Sequence, residues 1–471
     1  MAKKLPLGTQ QISEKVRIIN GTFSNMTGQT TNIQHTKIYM KLINILKISL
    51  LSLIFIPLVN VNADYFTYTP DGSDKLLHVY NTTLNRYVKG AGLVGTPRNV
   101  HVSHSGLKVF VSSVVQDSNQ SYINVLNAIN NTVEANGAIK ISGENVRGLV
   151  ITQDDNTLFV THEDGITKIE RPGIINTSTV LDLSYRGMNL VLSEDEKYLF
   201  VIGTDDTGND GISVVDLSTF TEIADYSLGT GKGASEIVFN NSATDPKLFI
   251  ALSENDQVVS VKIEGYDSPE ALSLDLFKVR DFTLGANPID IQLNNTNSEL
   301  FVVLSYIKDQ GERGTGNGNV VVLDTADISA NNEVSGISEI FFSNEDSSPN
   351  FNPDGGRIHP LALNIDENGF IYVLKQIWSD KNGVYVIKLK DTTNISTGER
   401  SIKEIQSYNL GNRVSTQANG QFLGPNCDAC PDGRINGDLE VVERPASLNA
   451  YLLLLLTSLL LLARRFKTTC K

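Results

Sequence analysis

The stretch Leu190-Val-Leu-Ser-Glu-Asp-Glu-Lys-Tyr-Leu-Phe-Val-Ile202, followed by Ile212-Ser-Val-Val-Asp216, decides the fold. Apolar side chains at both ends of the first stretch flank an acidic turn at Ser193 to Glu196, and the second stretch repeats the apolar pattern before closing on Asp216. A turn residue cluster between two short apolar, β-branched runs reads as antiparallel strands. The unit recurs. Its aromatic tripeptide appears as Val109-Phe110-Val111, Leu158-Phe159-Val160, Leu199-Phe200-Val201, Leu248-Phe249-Ile250, Leu300-Phe301-Val302 and Ile371-Tyr372-Val373, at steps of 49, 41, 49, 52 and 71 residues. Downstream of each comes a third strand: Ile123–Asn127, Ile166–Ile169, Ile212–Asp216, Val259–Ile263, Val320–Asp324 and Val384–Lys388. Three strands and a weaker fourth per period make a propeller blade. A β-sandwich has no reason to hold a period near 50 residues over six copies.

A seventh third strand, Leu77–Asn81, lacks a full first strand ahead of it. The strand-turn pattern of Arg413–Phe422 is expected to supply that inner strand, closing the ring by pairing the two ends of the chain and removing exposed sheet edges. The expectation is therefore an all-β, seven-bladed β-propeller over residues 64–425. With its Leu-Phe-Val tripeptides and the strand-closing Asp216 and Asp324, this region resembles the seven-bladed propellers with YVTN-type repeats, the lactonase-like group included. The resemblance implies the architecture. It leaves activity open, because the same fold carries binding proteins, lactonases and cofactor dehydrogenases.

The flanks read as an address. Residues 1–39 are polar and without hydrophobic period, a leader that is either non-native or disordered. From Met40, two lysines, the apolar run Ile48 to Val59 and the small-residue end Val61-Asn62-Ala63 form a secretory signal peptide over 40–63. Residues 426–447 make a stem in which Cys427 and Cys430 are expected to form a local disulfide. Over 448–471 the chain ends in a hydrophobic helix, apolar for 14 residues from Ala450 to Ala463, and a basic tail at Arg464, Arg465 and Lys467. That helix is either a membrane anchor or a sorting segment, with the basic tail on the cytoplasmic side. The order of motif, Leu-rich helix and basic cluster resembles PEP-CTERM sorting signals of bacterial exported proteins, although Glu443-Arg444-Pro445 stands where that family has Pro-Glu-Pro. An exported protein of the cell envelope or surface is expected. The chain has 53 Asp and Glu against 39 Lys and Arg, a net charge of −14, which argues against nucleic acid as a partner.

Propeller connectivity places the candidate site. With strands a to d running from the axis outward, the b-to-c and d-to-a connections share one face, and the long ones (Gly203 to Gly211, Ser305 to Asn319, Ser343 to Ile358) all fall there. Loops carry function more often than scaffold, so this face is the expected binding side. Charged residues near the inner-strand starts, Arg98, Arg147, Arg186, Glu236, Asp290, His359 and Arg413, form a candidate ring at the channel mouth. The arginines, with Asp290, are candidates for holding a carboxylate or phosphate ligand, and His359 and Glu236 are the candidate proton-transfer groups. His101 and His104 read as surface histidines. Asp205, Asp206 and Asp210 offer oxygen ligands suited to Ca²⁺ without EF-hand spacing; no other cofactor is expected. Two functions follow: a surface-tethered, monomeric propeller that binds a protein or small anionic ligand on its looped face, or a lactonase-like hydrolase or isomerase acting on a small anionic substrate.

Overall fold

A computed structural model describes residues 64–411, apart from 72–74, 116–117, 175, 243–244, 283–284, 306–318, 330–356, 367, 379–382 and 394–399, together with 440–444. The chain divides into Met1–Asn62, which lies outside the described residues, and Ala63–Lys471, which holds all the structure below.

Seven antiparallel sheets follow one another along the chain. Blade 2 contains Thr96–Val102, Lys108–Val115, Gln120–Asn127 and Thr132–Glu144, from the axis outward, and blade 3 contains Leu149–Ile151, Thr157–His162, Gly165–Glu170 and Thr177–Leu181. Blade 4 runs Arg186–Leu192, Tyr198–Thr204, Asn209–Asp216 and Thr221–Thr230; blade 5 runs Ala234–Asn240, Lys247–Leu252, Gln257–Glu264 and Ser273–Asp281. Blade 6 shows three strands among the described residues, Pro288–Leu293, Glu299–Leu304 and Asn319–Asp324. Blade 7 is Arg357–Ile365, Phe370–Trp378, Gly383–Thr393 and Arg400–Gly411. The aromatic tripeptides lie in the second strands and the predicted third strands are third, so the repeat reading of the sequence is the architecture.

Blade 1 closes the ring, with one correction to its donor. Asp64–Asp71, Leu76–Asn81 and Arg86–Gly92 are its second to fourth strands, and its inner strand is Glu440–Arg444, paired antiparallel with Asp64–Asp71. The expected donor, 413–422, lies outside the described residues, and the closing strand comes instead from the segment read as a stem. Val441 and Val442 stand side by side between charged neighbours there, a pattern too short to register against a 50-residue repeat. The signal segment 40–63, Cys427 and Cys430, and the C-terminal helix at 448–471 also lie outside the described residues. Among the described residues no helix is long and apolar enough to cross a membrane.

The core sits between the blades. Each repeat buries the aromatic of its second strand: Phe110, Phe159, Phe200, Phe249, Phe301, Tyr372 and, in blade 1, Tyr68. Phe200 packs with Phe239 of the next blade in a stacked pair at 5.6 Å between centroids. Burying one such ring stabilises the fold by about 1.5–3 kcal/mol. Hydrogen bonds tie the same joints: Ser112 Oγ donates to the Arg147 carbonyl (2.6 Å), Thr161 Oγ1 to the Met188 carbonyl (2.8 Å) and Ser235 Oγ to the Pro288 carbonyl (3.2 Å). At the joint of blades 7 and 1, the Lys388 ammonium lies over Phe370 at 3.9 Å and reaches Tyr65 at 5.8 Å.

Candidate functional site

The inner strands share a detail that the repeat motif hides. Five of them slip register by one residue near their start, skipping Arg98, Met188, Ser235, Ile289 and Leu361. A bulge of this kind adds a residue to one strand and reverses which face the flanking side chains take. The residues just after the bulge, Asn99, Asn189, Glu236 and Asp290, therefore face the axis, and with them Gly148 and Ala362 occupy the equivalent positions of blades 3 and 7. Two residues further along each strand lies a second axial tier, paired opposite the buried aromatic: His101, Val150, Val191, Val238, Gln292 and Asn364.

These two tiers line an open cavity of about 260 Å³, with Asn99, His101, Val150, Asn189, Val191, Glu236, Val238, Asp290, Gln292 and Asn364 on its wall together with the residues between them, such as Val100, Leu190 and Leu363. That volume is near the lower end of small-molecule sites, about 300–1,000 Å³. The charged groups are fixed from neighbouring blades. Asn189 Nδ2 donates to Glu236 Oε2 at 2.6 Å, and the Leu363 backbone N–H donates to Asp290 Oδ2 at 2.5 Å. Gly148 is glycine because Asn189 crosses in front of it: a Cβ there would collide with Asn189 Oδ1 and come within 2.8 Å of Leu190 Cδ2. The amide can then reach blade 5.

Only part of the expected ring assembles here. Glu236 and Asp290 line the cavity; Arg98, Arg147 and Arg186 do not. Arg98 is the bulged residue of blade 2 and is buried. Arg147 stands at the matching position of blade 3, its Nη1 2.9 Å from Met188 Sδ of blade 4. Arg186 is spent on Asp182 (2.7 Å) and Asp206; burial works against its charge, but these two carboxylates outweigh it and raise the guanidinium pKa. Arg413 lies outside the described residues. His359 pairs with Gln376 at the start of the blade 7 inner strand, three positions before Ala362 and toward the mouth.

His101 corrects the sequence reading in the other direction. It was expected on the surface and instead lines the cavity, whereas His104, on the turn beyond, is half exposed. Asn99, Asn189, Gln292 and Asn364 gave no motif. The signal that finds them is positional: counting back from each tripeptide aromatic to the strand paired with it lands on the second tier, and two residues earlier on the first.

The three acids considered for calcium diverge. Asp205 accepts the backbone N–H groups of Thr207 (2.8 Å) and Asn209 (2.9 Å), and such bonds, led by the one from Asn209, hold its carboxyl down to about 2. Asp206 pairs with Arg186, and Asp210 caps the N–H groups of Lys232 (2.7 Å) and Gly233 (2.9 Å). Among the described residues no group of three or more His, Cys, Asp or Glu is arranged to hold a metal ion.

The fold and cavity together define a seven-bladed β-propeller with a small axial site. Solved structures agree on the fold. The chain is similar to a candidate 6-phosphogluconolactonase from Bacteroides fragilis, with 12% identity and a TM-score of 0.52 over 82% of this chain and 99% of that one. It is also similar to a Lactobacillus plantarum protein, with 11% identity and a TM-score of 0.51 over 81% and 100% of the two chains. The periplasmic gluconolactonase of Pseudomonas aeruginosa matches at 13% identity and a TM-score of 0.48, over 81% and 100%. No family model and no curated protein matches the sequence.

Proposed function

We propose that this chain is a lactonase-like hydrolase that opens a small cyclic ester in the axial cavity. The observation that carries the reading is the pair Glu236 and Asp290, on adjacent blades at the same bulged register, facing one cavity together with amide side chains. Hydrolysis of a lactone needs a base to take a proton from water as it attacks the carbonyl, a donor for the oxyanion, and a proton for the departing ring oxygen. A carboxylate supplies the first. Asn99, Gln292 and Asn364 present the N–H donors of the second. The carboxyl group protonated in the first step returns its proton to the ring oxygen as the C–O bond breaks, leaving an open hydroxy acid. The fold shared with a candidate 6-phosphogluconolactonase supports lactones as the first substrates to test.

The test is hydrolysis of a panel of δ- and γ-lactones by the full chain in a pH-stat. Turnover above buffer is expected, with Glu236→Gln and Asp290→Asn each lowering kcat/KM by about 10²–10³. A rate equal to buffer across the panel, or variants as fast as the parent, overturns the reading.

A second reading has its own support. Glu236 and Asp290 also tie blade 4 to 5 and blade 6 to 7, which suits a non-catalytic binding propeller; saturable ligand binding without turnover selects it. Either way the proposed setting is the cell envelope, from the signal segment at 40–63 and the apolar, basic-ended segment at 448–471. Mass spectrometry of the native termini tests this, and an intact residue 1 rejects it.

A further inference from the structure

Around the axis, the second tier divides into two continuous arcs. Blades 3, 4 and 5 present Val150, Val191 and Val238; blades 6, 7 and 2 present Gln292, Asn364 and His101. On the six blades whose second-tier side chains line the cavity, three consecutive valines thus face three polar residues. Above the valine arc and its edge stand Glu236 and Asp290, and no Lys or Arg is among the described residues lining the cavity.

From this we infer, resting on the proposed lactone chemistry, that the site selects uncharged, polyhydroxylated rings of about monosaccharide size and rejects phosphorylated ones. A ring with an apolar C–H face and hydroxyls at its edge matches the two arcs: the face lies on the valines and the hydroxyls reach the amides and carboxylates. A phosphate would meet the carboxylates of Glu236 and Asp290 in a small site whose described lining holds no Lys or Arg, so its desolvation is opposed by like charge. The valines therefore orient the ring, while Glu236 and Asp290 act as the charge filter.

Binding by the full chain tests this with ring-stable probes. Calorimetry with gluconolactam, a neutral analogue that does not hydrolyse, should show saturable binding, and the 6-phosphate of the same lactam should bind at least tenfold more weakly. Val191→Thr keeps the shape, adds a hydroxyl to the apolar arc, and should weaken the lactam at least threefold; Gln292→Lys should narrow the gap between the two probes. Phosphorylated probe binding as tightly as the lactam overturns the inference, as does absence of saturable lactam binding or a Val191→Thr variant that binds unchanged. Lactam binding without turnover of any lactone sinks the hydrolase reading and leaves this selectivity standing. Turnover that prefers a phosphorylated lactone does the reverse.

Discussion

The Asn189 side-chain amide spans the boundary between blades 4 and 5 to donate to Glu236 Oε2 at 2.6 Å. The bond fixes one of the two cavity carboxylates and one joint of the ring together. Asn189→Ala is expected to cost about 1–2 kcal/mol, since a hydrogen bond to a charged group is worth more than a neutral one. Glu236→Gln keeps an acceptor oxygen and should cost about 1 kcal/mol or less. Urea denaturation of both variants checks the pair; an Asn189→Ala chain as stable as the parent removes the tie.

Arg400 makes the equivalent joint between blades 6 and 7 with charge. Its Nη2 lies 2.8 Å from Glu299 Oε2 and its Nε 2.9 Å from Asp391 Oδ2. Burial opposes the charge on Arg400, but the bonds to Asp391 and Glu299 more than offset it and raise the guanidinium pKa. Arg400→Met leaves two carboxylates facing each other and should cost about 1–3 kcal/mol, less than a fully buried pair because the site is partly solvated. A double-mutant cycle with Glu299→Gln should show coupling; additive effects count against the clamp.

His162 should make stability fall in acid. It is fully buried, its Nε2 2.9 Å from Thr167 Oγ1 and its Nδ1 accepting the Asp164 N–H at 3.2 Å. Burial lowers its pKa below the ordinary 6.5, with Asp164 opposing in part. Below pH 6.5 the unfolded chain binds a proton that the folded one refuses, so this contribution is whole above pH 6.5 and is lost as pH falls toward the folded value. The slope is at most about 1.4 kcal/mol per pH unit for one proton. His162→Gln should flatten that part of the profile between pH 7 and 5; an identical slope in parent and variant dismisses it.

Ring closure can be probed by length. A chain ending after residue 447 keeps Glu440–Arg444, whereas one ending after residue 439 leaves the Asp64–Asp71 edge unpaired. The shorter chain should lose its single cooperative thermal transition or melt at least 10 °C lower, and should aggregate through the open edge. Equal melting of the two chains contradicts closure by this strand.

The architecture was legible because each blade solves the same burial problem: an aromatic such as Phe200 must sit between sheets, and a turn such as Ser193 to Glu196 must precede it. Glu440–Arg444 escaped because a closing strand stands alone, without the turn and aromatic that mark a repeat. The site was legible only in Glu236 and Asp290. A one-residue bulge at Arg98 turns that side chain away from the cavity and brings Asn99 in, and His101 follows by alternation. Bulges of this kind leave no composition signal. The axial tier also varies from blade to blade, since a ring of seven positions around one ligand has no cause to repeat.

Asp64 pairs directly opposite Arg444, so the chain enters and leaves the propeller side by side, at the end where each inner strand finishes. Tension drawn between those two points would peel the closing strand open one hydrogen bond at a time, as a zip does, instead of shearing all of them at once. Tension borne by one end alone leaves the zip unloaded. If the molecule hangs from its C-terminal segment, the ring is mechanically safe as long as nothing grips the other end.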